Sequence, residues 1–304
     1  HLKTWQRLHQ TAYPILFNNA DLCGKKVAKT FSFKMISADN FDEDIRKHAI
    51  DVGVSERPYI ISVPKGSSAD IAGVQQKDTI IAIGAWRIPE KDYQREFTAQ
   101  LEKQAEQKSS LPITVKRGNK EVRIDVPLDN VCDFTLVLQR TDTINAYADG
   151  KRLIFSTAIM NLLQDDNELA AVIGHEMAHN TMGHIDKEQA NAAVGFVFDL
   201  LLAGVGINTH GAISNASRSA YSQEFEAEAD YVGLYYMYHA NYDIQRAPTV
   251  WRRMSISNPG SIKDNRMSSH PPSPERFIAL EDTIKEIELK IKNGEAVVPT
   301  VGYE

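Results

Sequence analysis

With 304 residues, 42% of them hydrophobic and 24% charged, the chain has room for about two domains and the composition of a protein that folds around its own core. Wholesale disorder, a collagen-like repeat and a disulfide-stapled miniprotein are excluded. A formal charge of −6 supplies no basic field for a phosphate backbone, so nucleic acid is not an expected partner.

The first residue is His1 rather than Met, which fits a processed or trimmed chain whose targeting segment is out of view. Leu2, Trp5, Leu8 and Ala12 recur at helical spacing and predict a short amphipathic helix interrupted at Pro14. Cys23 and Cys132 are too far apart for a short metal-binding pair; by themselves they fit one disulfide or two buried thiols equally.

From about Phe41 to Leu128 the texture becomes β-like. Tyr59-Ile60-Ile61-Ser62-Val63, Thr79-Ile80-Ile81-Ala82-Ile83, Ile113-Thr114-Val115 and Val122-Arg123-Ile124-Asp125-Val126 are separated by Gly, Pro and charged turns. Within this stretch Gly66-Ser67-Ser68-Ala69-Asp70-Ile71-Ala72-Gly73-Val74, followed by Lys77-Asp78-Thr79-Ile80, resembles the PDZ family. Ser68 stands where that family usually has Pro, Lys77 where it has Gly, and no carboxylate-binding loop is recognisable. The resemblance implies a small β-rich module that captures an extended peptide at a sheet edge; a spacer or lid packed on its neighbour is the alternative.

After Leu128 the pattern turns helical. Asp165 and Glu168 form a capping box ahead of Leu169, Val172, Ile173 and Met177, predicting a helix through about Gly183. A second helix is expected over Ser222 to about Ala240, and a third from Ser273, with Pro274 in its first turn, to near Gly294. The Gly-, Ala- and Asn-rich stretch from about Gln189 to Ser219 fits a buried helix, a lid or a membrane-surface segment. No part of it reaches the ~18 uninterrupted apolar residues of a membrane span, because Asp199 breaks the run from Ala192 to Ile207.

The first of these helices carries His175-Glu176-Met177-Ala178-His179. Side chains four apart share a helical face, so both imidazoles can ligate one metal while Glu176 points at the water to be activated. With nine His in the chain, about 0.02 chance matches to this pattern are expected, which favours chemistry over coincidence. A catalytic zinc takes three protein ligands. Glu226 is the expected third: Asp230 follows one turn later on the same face and can accept a hydrogen bond from a ligand His. Glu224 and Glu228 lack such a partner, and Glu228 projects roughly opposite. His184 lies off the ligand face and is expected to pack or to cap the helix end.

Ser222-Gln223-Glu224-Phe225-Glu226-Ala227-Glu228-Ala229-Asp230 with Gly233 resembles the second signature of a zinc peptidase family. That family includes HtpX-type proteases, CAAX prenyl endopeptidases and periplasmic outer-membrane-assembly proteases. Gln223 replaces its usual Arg. Asn145-Ala146-Tyr147-Ala148 resembles the family's cleft-bordering strand, and Ser269-His270-Pro271-Pro272 with Arg276 resembles a segment near its site.

The resemblance implies an α+β protein: a mainly helical, minigluzincin-type zinc peptidase domain formed by residues 1–38 and 130–304, interrupted by a PDZ-like module at 39–129. It implies one Zn2+ per chain on His175, His179 and Glu226, with Asp230 behind them. Glu176 is the implied general base and acid, His270 the donor to the developing oxyanion, Arg276 its assistant or the anchor of its segment, and Asn145 a contact for the substrate backbone.

The same layout brings Cys23 and Cys132 together where the module leaves and returns. A disulfide there implies an extracytoplasmic, bacterial periplasmic setting. The expected activity is endoproteolysis of protein or peptide substrates, in envelope quality control, with peripheral membrane association left open. A peptide-binding chaperone or adaptor with a structural or latent zinc site is the alternative.

Overall fold

The computed structural model describes every residue except 1, 42, 52, 90–92, 106–107, 188, 191–211, 258–273 and 302–304. It is a mixed helix-and-sheet protein whose packing forms two compact units, residues 1–17 with 27–131 and residues 18–26 with 132–304. The chain therefore passes through the second unit briefly before completing the first. The sequence-based division at 38 and 129 differs in assigning residues 1–17, 27–38 and 130–131 to the peptidase domain, whereas they pack with the first unit.

In the first unit, α1 (Leu2–Asn18) continues through Pro14 instead of stopping there. Proline deletes one backbone donor. Burial of Leu8, Ala12, Tyr13, Ile15 and Leu16 outweighs that loss. Two buried polar anchors hold the helix within its unit: His9 Nδ1 lies 3.0 Å from Ser62 Oγ, and the Tyr13 hydroxyl donates to Asp129. Trp5 packs beside the small cluster of Ile36, Ala38, Ala49, Val54 and Ile61.

The main sheet of this unit has the order β2 (Lys34–Ile36), β3 (Tyr59–Ser62), β4 (Thr79–Ile83), β6 (Ser110–Arg117), β7 (Lys120–Pro127), with β5 (Trp86–Arg87) paired to β4. Its pairings are antiparallel. All four β-like runs of the sequence lie on these strands. Alternation along β6 and β7 sends Leu111, Ile113, Val115, Ile124 and Val126 into one core with Ile60, Ile80 and Ile83. A separate pair, β1 (Val27–Thr30) and β8 (Asp129–Cys132), closes the unit's ends. Between the strands lie α2 (Glu43–Asp51), α3 (Ser68–Ile71) and α4 (Gln94–Ala105).

Lys77 adopts φ +77°, a left-handed conformation that costs a side chain about 1 kcal/mol. The strain is local to a turn held by Asp78. The Asp78 carboxylate accepts from the Gln75 N–H at 2.9 Å and from Arg117 Nε and Nη2 at 2.8 and 2.7 Å.

The second unit is tied at its entry by the disulfide Cys23–Cys132. The bridge spans a sequence separation of 109 residues, and a loop of about 100 residues constrained in the unfolded chain favours folding by up to about 4.7 kcal/mol in the chain-entropy picture. A three-stranded sheet has the order β10 (Ala146–Ala148), β11 (Arg152–Ser156), β9 (Thr135–Gln139), with β10 antiparallel and β9 parallel to β11. After it come α5 (Thr157–Leu162), α6 (Asp166–Thr181), α7 (Ala212–His239), α8 (Ala247–Ser257) and α9 (Pro274–Asn293).

Two features fix α6. At its start, the Asp165 carboxylate caps the helix by accepting from the Asn167 N–H. The capping-box role expected of Glu168 is corrected by the structure. Its carboxylate is fully buried and faces Arg253 Nη1 at 3.1 Å and Thr249 Oγ1 at 3.3 Å on α8. A charge-assisted contact to a half-exposed arginine outweighs one more local hydrogen bond. At the other end the buried Asn180 side chain accepts from the Gly150 N–H at 2.6 Å and donates to the Arg152 carbonyl at 3.1 Å, locking the helix to the β10–β11 turn.

Candidate metal centre

The helices α6 and α7 cross at two glycines. A Cβ built on Gly174 would sit 2.7 Å from the Gly233 carbonyl oxygen, and one built on Gly233 would sit 2.9 Å from the His175 nitrogen. Only glycine permits that approach. It brings the His175 to His179 face of α6 against the Glu226 to Asp230 face of α7.

His175, Glu176, His179, Glu226 and Asp230 are all buried. His175 Nε2 lies 3.1 Å from His179 Nε2 and 3.4 Å from Glu226 Oε2, while His179 Nε2 lies 3.2 Å from Glu226 Oε1. Among the described residues this is the trio of potential ligand atoms gathered within 4.8 Å of one another. A tetrahedral ion with bonds of about 2.0–2.1 Å holds its ligand atoms about 3.3–3.4 Å apart. The observed separations match that edge length, and two imidazoles with one carboxylate are a known catalytic zinc donor set. The residues fit a zinc ion.

Each imidazole is held from behind. His175 Nδ1 faces Asp230 Oδ1 at 2.9 Å, and the ring edge packs on Trp251, with centroids 4.9 Å apart. Asp230 in turn receives Arg276 Nε at 2.7 Å and Nη2 at 2.8 Å, a bidentate pair. Arg276 Nη1 lies 3.0 Å from Glu226 Oε2, and its guanidinium stacks 4.3 Å above the Trp251 ring.

This array sets the charges. Burial disfavours a charged His175, yet Glu226 and Asp230 outweigh it and raise its pKa to about 9. Burial likewise opposes the Asp230 carboxylate, and Arg276 overcomes that to hold it below its ordinary range. Arg276 stays charged despite burial because Asp230, Glu226 and Glu176 surround it.

Around the second imidazole the structure extends one sequence reading and corrects another. His184 packs, as expected, on Phe225, but it also bonds: its Nδ1 lies 3.0 Å from His179 Nδ1, and its Nε2 lies 2.8 Å from Glu228 Oε2. Glu228, read as pointing away from the site, therefore reaches His179 through one intermediary. The cause is local, because α6 ends at Thr181 and Gly183 takes φ +66°. The chain folds back, and helical spacing no longer describes residue 184. Burial, followed by the neighbouring His179, lowers the His184 pKa to about 4.

The remaining expected site residues are placed as follows. Arg276, at the start of α9, contacts two of the carboxylates of α7, Glu226 and Asp230. Asn145 immediately precedes the edge strand β10, and its N–H donates to Ser156 Oγ at 3.1 Å. His270 and the Ser269-His270-Pro271-Pro272 segment lie outside the described residues, as does most of the glycine-rich stretch; α7 begins within that stretch at Ala212, ten residues before the expected start. Trp251 was not anticipated, although Pro248 in the first turn of α8 is a helix-start signal.

The profile of Peptidase family M48 matches residues 119–284. The mitochondrial metalloendopeptidase OMA1 of Schizosaccharomyces pombe is 30% identical over 158 residues, covering 50% of this chain and 47% of that protein. The OMA1 of Arabidopsis thaliana is 32% identical over 139 residues, covering 44% and 28%. The beta-barrel assembly-enhancing protease of Escherichia coli O157:H7 is 28% identical over 155 residues, covering 46% and 30%. The matched stretch thus spans less than half the length of each of these relatives. A solved PDZ domain of HtrA3, bound to a phage-derived ligand, covers 34% of this chain and 88% of that one at 16% identity and a TM-score of 0.26, too slight a likeness to argue from.

Proposed function

The chain belongs to peptidase family M48, and on that premise we propose that it is a zinc-dependent endopeptidase acting on protein substrates. The observation that carries the reading is the triangle of His175 Nε2, His179 Nε2 and the Glu226 carboxylate, with edges of 3.1 to 3.4 Å. These three residues would hold the zinc. Bound there, zinc lowers the pKa of a coordinated water to about 7 and polarises a peptide carbonyl.

The chain's own residues do the rest. Glu176, buried beside the ligands, takes the proton from the attacking water and delivers it to the departing amine nitrogen. Asp230 orients His175. Arg276 holds Asp230 and Glu226 in place, a positioning role preferred to direct contact with substrate because its guanidinium is already engaged by both. We assign the oxyanion donor to His270. An extended substrate fits the outer edge of β10, beside Asn145, by adding a strand.

We read residues 39–129 as a PDZ-like module inserted into the peptidase domain. The Cys23–Cys132 bridge supports an oxidising, extracytoplasmic compartment, and quality control of envelope proteins is the role proposed there. No described helix is long and apolar enough to cross a membrane. Metal analysis combined with cleavage of an unfolded protein such as casein tests the proposal. About one zinc per chain and cleavage abolished by a chelator are expected; cleavage that ignores the chelator contradicts it.

A further inference from the structure

We propose that Glu228 and His184 form a positioning relay that fixes the ring of the metal ligand His179. The proposal rests on the zinc-site reading above and assigns a role to two residues which that reading leaves unused.

The hydrogen-bond chemistry allows one consistent pattern. A neutral imidazole carries one N–H and one bare nitrogen. If His179 offers Nε2 to the metal, its proton sits on Nδ1, which must donate to the His184 Nδ1 lying 3.0 Å away. His184 Nδ1 is then bare, its proton is on Nε2, and that N–H donates to the Glu228 carboxylate at 2.8 Å. Every atom in the series has its partner, and the tautomers of both rings follow.

The relay is held on both sides. His184 is buried, with 2% of its surface exposed, and its ring stacks on Phe225 with centroids 4.5 Å apart and planes 13° from parallel. Phe225 and Glu228 are three residues apart on α7, so they share a face and flank the ligand Glu226. A single helix thus supplies one ligand and a carboxylate behind each imidazole: Asp230 directly behind His175, Glu228 through His184 behind His179. Partners of this kind fix ring orientation and raise ligand basicity, and losing one typically weakens metal binding 10- to 100-fold.

The test is zinc affinity by chelator competition in the full chain, with circular dichroism to show that each metal-free variant is folded. Glu228→Leu removes the terminal acceptor from a side chain that is 29% exposed and is expected to weaken zinc binding several-fold to 10-fold. His184→Phe keeps the stacking but offers no acceptor and is expected to lose 10- to 100-fold. His184→Asn places its Oδ1 as many bonds from the backbone as the lost Nδ1, so it should restore affinity to within a few-fold of wild type, which a purely space-filling role would not require.

Because Glu228 acts through His184, the double variant Glu228→Leu/His184→Phe should bind no more weakly than His184→Phe. Affinities equal to wild type in both single variants, or losses that multiply in the double, overturn the relay. Should His184→Phe fail to fold, Glu228→Leu compared with His184→Asn decides: the relay requires loss in the first and near-retention in the second. A wild-type chain that takes up no zinc would sink the zinc-peptidase reading and the relay with it, an outcome distinct from wild type and variants sharing one affinity.

Discussion

Gly174 and Gly233 touch backbone to backbone where α6 and α7 cross, leaving no room for even a methyl group: the Cβ of an alanine at 174 would lie 2.7 Å from the carbonyl oxygen of Gly233. Because α6 carries two of the proposed ligands and α7 the third, the metal site depends on a contact between residues that do no chemistry. Gly174→Ala is expected to destabilise the protein by about 1–3 kcal/mol through overpacking and to weaken zinc binding as Glu226 retreats from the imidazoles. Thermal melting with zinc titration checks this, and a variant with unchanged zinc affinity would show that the crossing distance does not set the site.

Glu176→Gln keeps the shape of the side chain and removes the base. It should bind zinc as the wild type does and cleave at least about 10²-fold more slowly, the usual scale for losing a general acid–base group. Cleavage at the wild-type rate would remove Glu176 from the proton path.

Arg276 bridges two buried carboxylates, with contacts of 2.7–3.0 Å. Arg276→Met should cost the metal-free protein about 3–5 kcal/mol, because Asp230 and Glu226 then share His175 as their remaining positive partner and one buried negative charge is left uncompensated. Saturating zinc should recover part of that loss by supplying positive charge to the same carboxylates. Denaturant unfolding with and without zinc measures both; equal losses in the two conditions would separate Arg276 from the metal site.

His9, in the first unit, supplies a pH dependence that involves none of the proposed catalytic residues. Burial, assisted by nearby Lys34, lowers its pKa from 6.5 to about 3. Between those values the unfolded chain binds a proton that the folded chain refuses. Its contribution is therefore complete above pH 6.5 and falls as the pH drops toward 3, by about 2 kcal/mol between pH 7 and pH 5. His9→Asn removes the titration while leaving an oxygen for Ser62. Urea unfolding at the two pH values should show the wild type losing about 2 kcal/mol more than the variant, and parallel losses would contradict the assignment.

Much of this was legible before any coordinates, and the divide has a physical basis. The four β-like runs and the helices α6 and α9 announced themselves because alternation, caps and a first-turn proline are local signals. The gathering of His175, His179, Glu226 and Asp230 was legible because helical spacing converts sequence separation directly into a shared face. Pro14 misled because its cost is local while the burial that overrides it comes from the rest of the unit. Glu168 misled for the same reason, since Arg253 is far away in sequence. His184 could not be read by counting along a helix that ends two residues before Gly183 reverses the backbone, and Glu228 could not be understood without His184.

The central claim is that one zinc ion joins α6 to α7. Anomalous scattering measured at the zinc absorption edge from crystals of the protein tests it most directly. A single strong peak is predicted, bonded to His175 Nε2, His179 Nε2 and a Glu226 oxygen at about 2.0–2.2 Å. A zinc-loaded crystal with no peak between those three side chains, or with the ion bound elsewhere on the chain, would contradict the account.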